Sequence, residues 1–221
     1  MSGTPVRILL ARHGETLFNV QGRWQGQADS PLTERGLAQA RELGRALSTE
    51  PITAVYSSDL GRATQTAQEV ATIHGLTVCL DVRLREIETG GFTHKNWAEI
   101  DAEYPGQREA WRHAPSKMRL PGGETLLEAQ GRALEFFTEV MPAHADQTIV
   151  VISHGGIGQA ILVNAMGGTV DDLWLTERVD NCQISRLEWT QENGLKLIEL
   201  SDVRHLEEVG SLRNWRTTDA A

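Results

Sequence analysis

The chain predicts an α/β fold: a three-layer α/β/α sandwich with a mostly parallel central sheet plus an antiparallel C-terminal strand or hairpin. Three observations carry this expectation. Short apolar runs bounded by glycine or serine alternate with amphipathic helical stretches, as strands joined by crossover helices do. Two of those runs, 8–11 and 149–152, are continuously apolar, which marks interior strands covered on both faces. Near the end, 182–189 and 195–200 flank Glu192-Asn193-Gly194, an Asn-Gly turn that reads as a closing hairpin.

The first strand ends in Arg12-His13-Gly14-Glu15-Thr16, where the glycine signals a tight turn. Residues 22–32 are turn-rich and cross the sheet edge as a loop. Thr33 caps a helix over 34–48, whose Leu37, Ala40, Leu43 and Leu47 recur at helical spacing. A strand at 53–57 leads to Asp59, read as the N-cap of the next helix, with Arg62 at its third position. The amino end of that helix is then expected to offer N–H groups to an anion. Gly75 stops the helix, and 77–80 reads as another strand.

Between 86 and 123 the periodicity weakens. Helical pieces at 96–103 and 106–113 carry Trp97, Tyr104 and Trp111, and 87–123 is expected to be a lid-like excursion over the site. A long helix follows at 124–141. The second apolar strand, 148–153, ends in Ser153-His154-Gly155-Gly156, with a helix over about 157–166 and a short helical turn at 171–175. The whole, 1–221, reads as a single domain with its core at about 6–206 and a loose tail at 211–221.

Bulk composition narrows the function. The 221 residues carry a net charge of −9 with only three lysines, so no basic stripe exists to track a nucleic-acid backbone. No run approaches the ~18 apolar residues that cross a bilayer, and the N-terminus lacks the pattern of a signal peptide. Cys79 and Cys182 form no disulfide framework and fit free thiols in a reducing, cytoplasmic setting. The expected partners exclude nucleic acid and membrane. A homodimer through the edge of the terminal hairpin is compatible with the pattern. Arginines instead gather at the motifs, which suits a small phosphorylated ligand held by guanidinium forks.

Two buried strands that each end in His-Gly bring two imidazoles to one sheet edge, where open α/β sheets bind ligands. With Ser57-Ser58-Asp59-Leu60 and Arg62, Leu84-Arg85-Glu86, and Asn19, these motifs resemble the histidine phosphatase superfamily in kind and order, over roughly 6–206. The resemblance implies the same three-layer fold and a phosphohistidine formed on His13. It also implies that Arg12, Arg62 and His154 hold the phosphoryl group, with Asn19 and Gly155 supporting the pocket. Glu86 stands where the family carries its general acid, although Glu88 lies two residues on and either could be a solvated loop residue. Asn19 could equally be a turn residue. Gln25, Trp24 and His94 are further candidates for substrate contact, Trp24 being more simply read as packing, His94 equally as a solvent-exposed residue, and His205 as structural.

The function expected is a metal-independent phosphomonoesterase acting on a small phosphorylated metabolite, with no cofactor. The seven histidines show no ligand spacing. A cofactor-dependent phosphoglycerate mutase using the same phosphohistidine is the alternative, and an inactive binding protein of the same fold is a remote one. Mutases of this kind typically carry a longer, arginine-rich insertion before the second His-Gly strand, which this chain lacks. Where many relatives have Glu-Gly after Gly-aromatic, this chain has Thr93-His94 after Gly91-Phe92, so the identity of the substrate does not carry over.

Overall fold

The computed structural model describes residues 4–175 and 178–210, and these described residues form six strands and seven α-helices. In order these are β1 (Val6–Arg12), α1 (Leu17–Val20), α2 (Glu34–Ala46), β2 (Ile52–Ser57), α3 (Gly61–His74), β3 (Val78–Leu80), α4 (Trp97–Glu103), α5 (Gln107–His113), α6 (Leu126–Val140), β4 (Thr148–Ser153), α7 (Gly155–Ala165), β5 (Ile184–Thr190) and β6 (Gly194–Asp202). The sheet order is β3-β2-β4-β1-β5-β6. The first four strands of that order pair in parallel, and β5 and β6 add antiparallel. The fold class expected from the sequence is therefore the observed one.

The pleat explains the layers. Ile8 and Leu10 of β1, with Ile149 and Val151 of β4, join one core with α6 and α7. Leu9, Ala11, Val150 and Ile152 point the other way, into a second core with α2 and α3. A strand buried on both faces needs a continuous apolar run, and β1 and β4 have one.

Local signals place most helix ends. Thr33 Oγ1 accepts the Gly36 N–H at 2.9 Å to start α2, and Thr125 closes a capping box with Glu128 on α6. Gly75 ends α3 in the left-handed conformation at φ 65°. Two expectations needed correction. The N-cap of α3 is Leu60, not Asp59, because the Asp59 carboxylate is drawn into an ion pair with Arg85. Arg62 is accordingly the second residue of the helix. The hairpin turn lies at Asn193-Gly194 as expected, but β6 extends to Asp202. Cys79 is exposed and Cys182 buried, both free. The expected loose tail at 211–221 lies outside the described residues.

The stretch 87–123 leaves the sheet. It is zipped to the 22–28 loop by Trp24 N–H to Lys95 O at 2.9 Å and His94 N–H to Trp24 O at 2.8 Å. Trp24 meets Phe92, Trp97 and Trp111 edge to face, with ring centroids 5.0–5.6 Å apart. This aromatic knot, rather than helix amphipathicity, fixes α4 and α5.

Candidate active site

Strands β1 and β4 are neighbours in register, with Arg12 opposite Ser153, so His13 and His154 leave the sheet side by side. Their ring centroids lie 5.1 Å apart. The turn after His13 passes against α2 so closely that a Cβ on Gly14 would sit 2.4 Å from Gly36 O. Only glycine allows that approach. His13 Nδ1 donates to Gly14 O at 2.7 Å, which leaves the lone pair on Nε2. Arg62 Nε donates to that Nε2 at 3.3 Å. Burial, then the charges of Arg62 and Arg12, hold the His13 imidazole well below the usual histidine range, so it is neutral near pH 7.

Arg62 is buried and held as a fork. One Nη donates to Ala28 O at 2.9 Å and the other to Gly26 O at 2.8 Å, with Asp29 at 3.3 Å. Arg12 donates to Val179 O at 2.7 Å and lies against Gly155, where a Cβ would come within 3.2 Å of its guanidinium. Its Nε is buried with no partner among the described residues. Gly155 thus serves the site by making room for this side chain. The expected anion-binding amino end of α3 is a correction: Asp29 takes its Gly61 and Arg62 N–H groups, at 2.8 and 3.4 Å. This cap reaches in from a distant loop, where a local reading cannot see it.

The Glu86 carboxylate sits at the amino end of α7. It accepts the N–H groups of Gly156 and Ile157 at 2.9 Å each, and that of Ile87 at 3.0 Å. Arg132 of α6 anchors the segment by donating to the carbonyls of Arg85 and Glu86 at 2.7 and 2.9 Å. Glu88 turns away, and its carboxylate accepts the N–H of Gly90. Of the two glutamates only Glu86 faces the site.

These groups border a cavity of about 370 Å³. Its floor holds Arg12, His13, Arg62, Glu86 and Gly155, and its wall holds Trp24, Trp97 and Trp111 with Arg23 and Arg178. Asn19 and Gln25 also line it, the Gln25 Oε1 being buried without a partner among the described residues. Trp24 both packs and lines. His94 does not reach the cavity wall: its ring lies edge-on against Phe18, and Lys95 donates to Gly91 O. His154 stands beside His13 at the floor, with ring centroids 5.1 Å apart, and burial followed by Arg62, His13 and Arg12 also hold it neutral. His205 bonds to Cys182 O, a structural contact. Among the described residues no cluster of three or more His, Cys, Asp or Glu is placed to hold a metal.

Some contributors were not legible in advance. Asn181 Nδ2 donates to His13 O at 2.9 Å and to Asn19 Oδ1 at 3.3 Å, tying the two together. It comes from the run before β5, which has no motif or periodicity to mark it. Arg132 lies within the 124–141 helix, where no motif marks it.

With this geometry in hand, the family model for the histidine phosphatase superfamily (branch 1) matches residues 8–202. The chain belongs to the histidine phosphatase superfamily. As a member it is an enzyme of the phosphatase class. Among similar proteins of this superfamily is one named probable phosphoglycerate mutase GpmB from Erwinia tasmaniensis, 34% identical, covering 92% of this chain and 96% of that one. Phosphoserine phosphatase 1 of Hydrogenobacter thermophilus is 33% identical, covering 92% and 95%. Among solved histidine phosphatase structures, Bacillus stearothermophilus YhfR superposes with a TM-score of 0.85 at 31% identity, covering 91% of this chain and all of that one. A mycobacterial glucosyl-3-phosphoglycerate phosphatase complexed with VO3 does so at 0.80 and 30%, covering 87% and 97%. No helix among the described residues is long and apolar enough to cross a membrane.

Proposed function

We propose that this protein is a metal-independent phosphomonoesterase that hydrolyses a small phosphorylated metabolite through a phosphohistidine on His13. The observation that carries the reading is the tautomer of His13: Nδ1–H is spent on Gly14 O, and Nε2 keeps its lone pair beside Arg62. A phosphate monoester repels nucleophiles, so its equatorial oxygens need fixed positive charge and the nucleophile must lie in line. Arg12 and Arg62 supply that charge from the same floor. Nε2 attacks phosphorus and the ester bond breaks. Glu86 protonates the departing alkoxide and then takes a proton from the water that attacks the P–N bond, regenerating His13 and releasing inorganic phosphate. Its carboxyl oxygens keep a lone pair free for that proton beside the N–H bonds they accept.

The wall bears on the substrate. A cavity at the lower end of the usual range for small-molecule sites holds a phosphoryl group and one modest alcohol. Three tryptophans favour an alcohol with an apolar or ring face, and this is the feature that speaks for hydrolysis over interconversion of phosphoglycerates. Relatives carry both names, one of them phosphoserine phosphatase and another probable phosphoglycerate mutase. A panel of phosphorylated metabolites assayed with chelator present tests the reading. Release of inorganic phosphate, abolished in His13→Ala, is the expected result. Rapid conversion of 3-phosphoglycerate to 2-phosphoglycerate, primed by the bisphosphate, would favour the mutase instead.

A further inference from the structure

Ser58 follows β2, and its backbone N–H donates to Ile152 O of β4 at 3.0 Å, two residues before His154. Its Oγ lies 2.8 Å from His154 Nε2 and accepts the Leu60 N–H at 3.3 Å. Serine and imidazole are both buried. Two proton arrangements fit the pair. If Nε2–H donated, the serine oxygen would accept twice, and its own hydrogen would have no acceptor among the described residues. If the serine hydroxyl donates to Nε2, the hydroxyl is satisfied as donor and acceptor together. A neutral imidazole must then carry its hydrogen on Nδ1, and that nitrogen is buried with no partner among the described residues. Of the groups that act on His154, Arg62, Arg12 and Arg132 cannot accept a hydrogen bond, and the single lone pair on His13 Nε2 already accepts from Arg62 Nε. What can accept it is an anion brought by the substrate.

We propose that Ser58 is a positioning residue that locks His154 as the Nδ1–H tautomer, so that it donates a hydrogen bond to the phosphoryl group in transfer. The proposal rests on phosphoryl transfer at this site. It gives the two histidines the same tautomer and opposite uses: His13 offers the bare Nε2, His154 the protonated Nδ1.

Long-range ¹H–¹⁵N correlation spectra of protein labelled at histidine nitrogens read the tautomer directly, with the His154 signals identified by their loss in His154→Gln. The expected result is a protonated Nδ1 and a bare Nε2 in the wild type at neutral pH. Ser58→Ala should lose that preference and lower kcat by about 10- to 100-fold, below the full loss of a transition-state donor. Ser58→Thr, which keeps the hydroxyl, should restore both. A protonated Nε2 in the wild type, or wild-type kcat in Ser58→Ala, would overturn the proposal. The wild-type spectrum needs neither substrate nor turnover, so its outcome is separate from that of the phosphatase assay.

Discussion

The floor of the cavity is set by two neighbouring strands in fixed register, whereas its wall is assembled from loops that meet through backbone bonds and aromatic rings. His13 and His154 follow β1 and β4, whose residues are nearly all buried, and Arg62 is clamped by three carbonyl or carboxylate groups. The wall instead hangs on the Trp24–Lys95 and His94–Trp24 bonds and on four rings packed edge to face. A floor held this rigidly suits one invariant task, the handling of a phosphoryl group. A wall of loops and rings can change without disturbing it, and this is how one reaction can serve many alcohols.

Breaking the floor should have the largest effects. His13→Ala should lower kcat/KM by at least about 10³-fold, since removing a covalent nucleophile can cost ~10⁶. Far-ultraviolet circular dichroism should be unchanged, and activity near that of the wild type would remove His13 as nucleophile. Glu86→Gln should slow alkyl phosphates by about 10²–10⁴-fold but p-nitrophenyl phosphate far less, because its phenolate leaves without a proton. Equal losses on both substrates would argue against Glu86 as the acid.

The wall should respond differently. Trp97→Leu should raise KM for ring-bearing phosphates by about tenfold, as loss of an aromatic contact does, while leaving glycerol phosphate nearly unaffected. An equal rise for both would mean that the wall and floor are not separable. Smaller still is a pH effect. Because the folded protein holds His13 and His154 neutral, the unfolded chain binds their protons first as pH falls. Stability contributed by these rings is therefore present above the unfolded value of about 6.5 and declines below it, down to their folded values. Urea midpoints measured from pH 8 to 5 should fall on the acid side, and less steeply in His154→Gln. The acid limb of kcat/KM should lie below the ordinary histidine range.

The same contrast explains what could be read from residues alone. Continuous apolar runs ended by His-Gly fix β1 and β4, and the parallel order follows from alternation with helices. The floor was therefore legible nearly whole. Where an expectation failed, a distant partner had intervened: Arg85 draws Asp59 away from the α3 cap, and Asp29 supplies the cap instead. Helix α1, only four residues long, falls below any periodicity signal despite its Thr16–Asn19 capping box. The wall was legible only in part: the helical pieces expected at 96–103 and 106–113 are observed as α4 and α5, but the ring contacts that fix them join residues far apart in the chain and leave no local signal. Of the two readings open for His94, substrate contact or solvent exposure, the second is observed: the residue is exposed, its ring edge-on against Phe18.

The central claim is that phosphorus passes through His13, and trapping the intermediate tests it most directly. Protein mixed with radiolabelled substrate, quenched in alkali within milliseconds and digested should yield one labelled peptide, phosphorylated on a nitrogen of His13 and releasing its label in acid. Label on His154 or on any other residue, or a burst of released alcohol with His13 unmodified, would contradict the account.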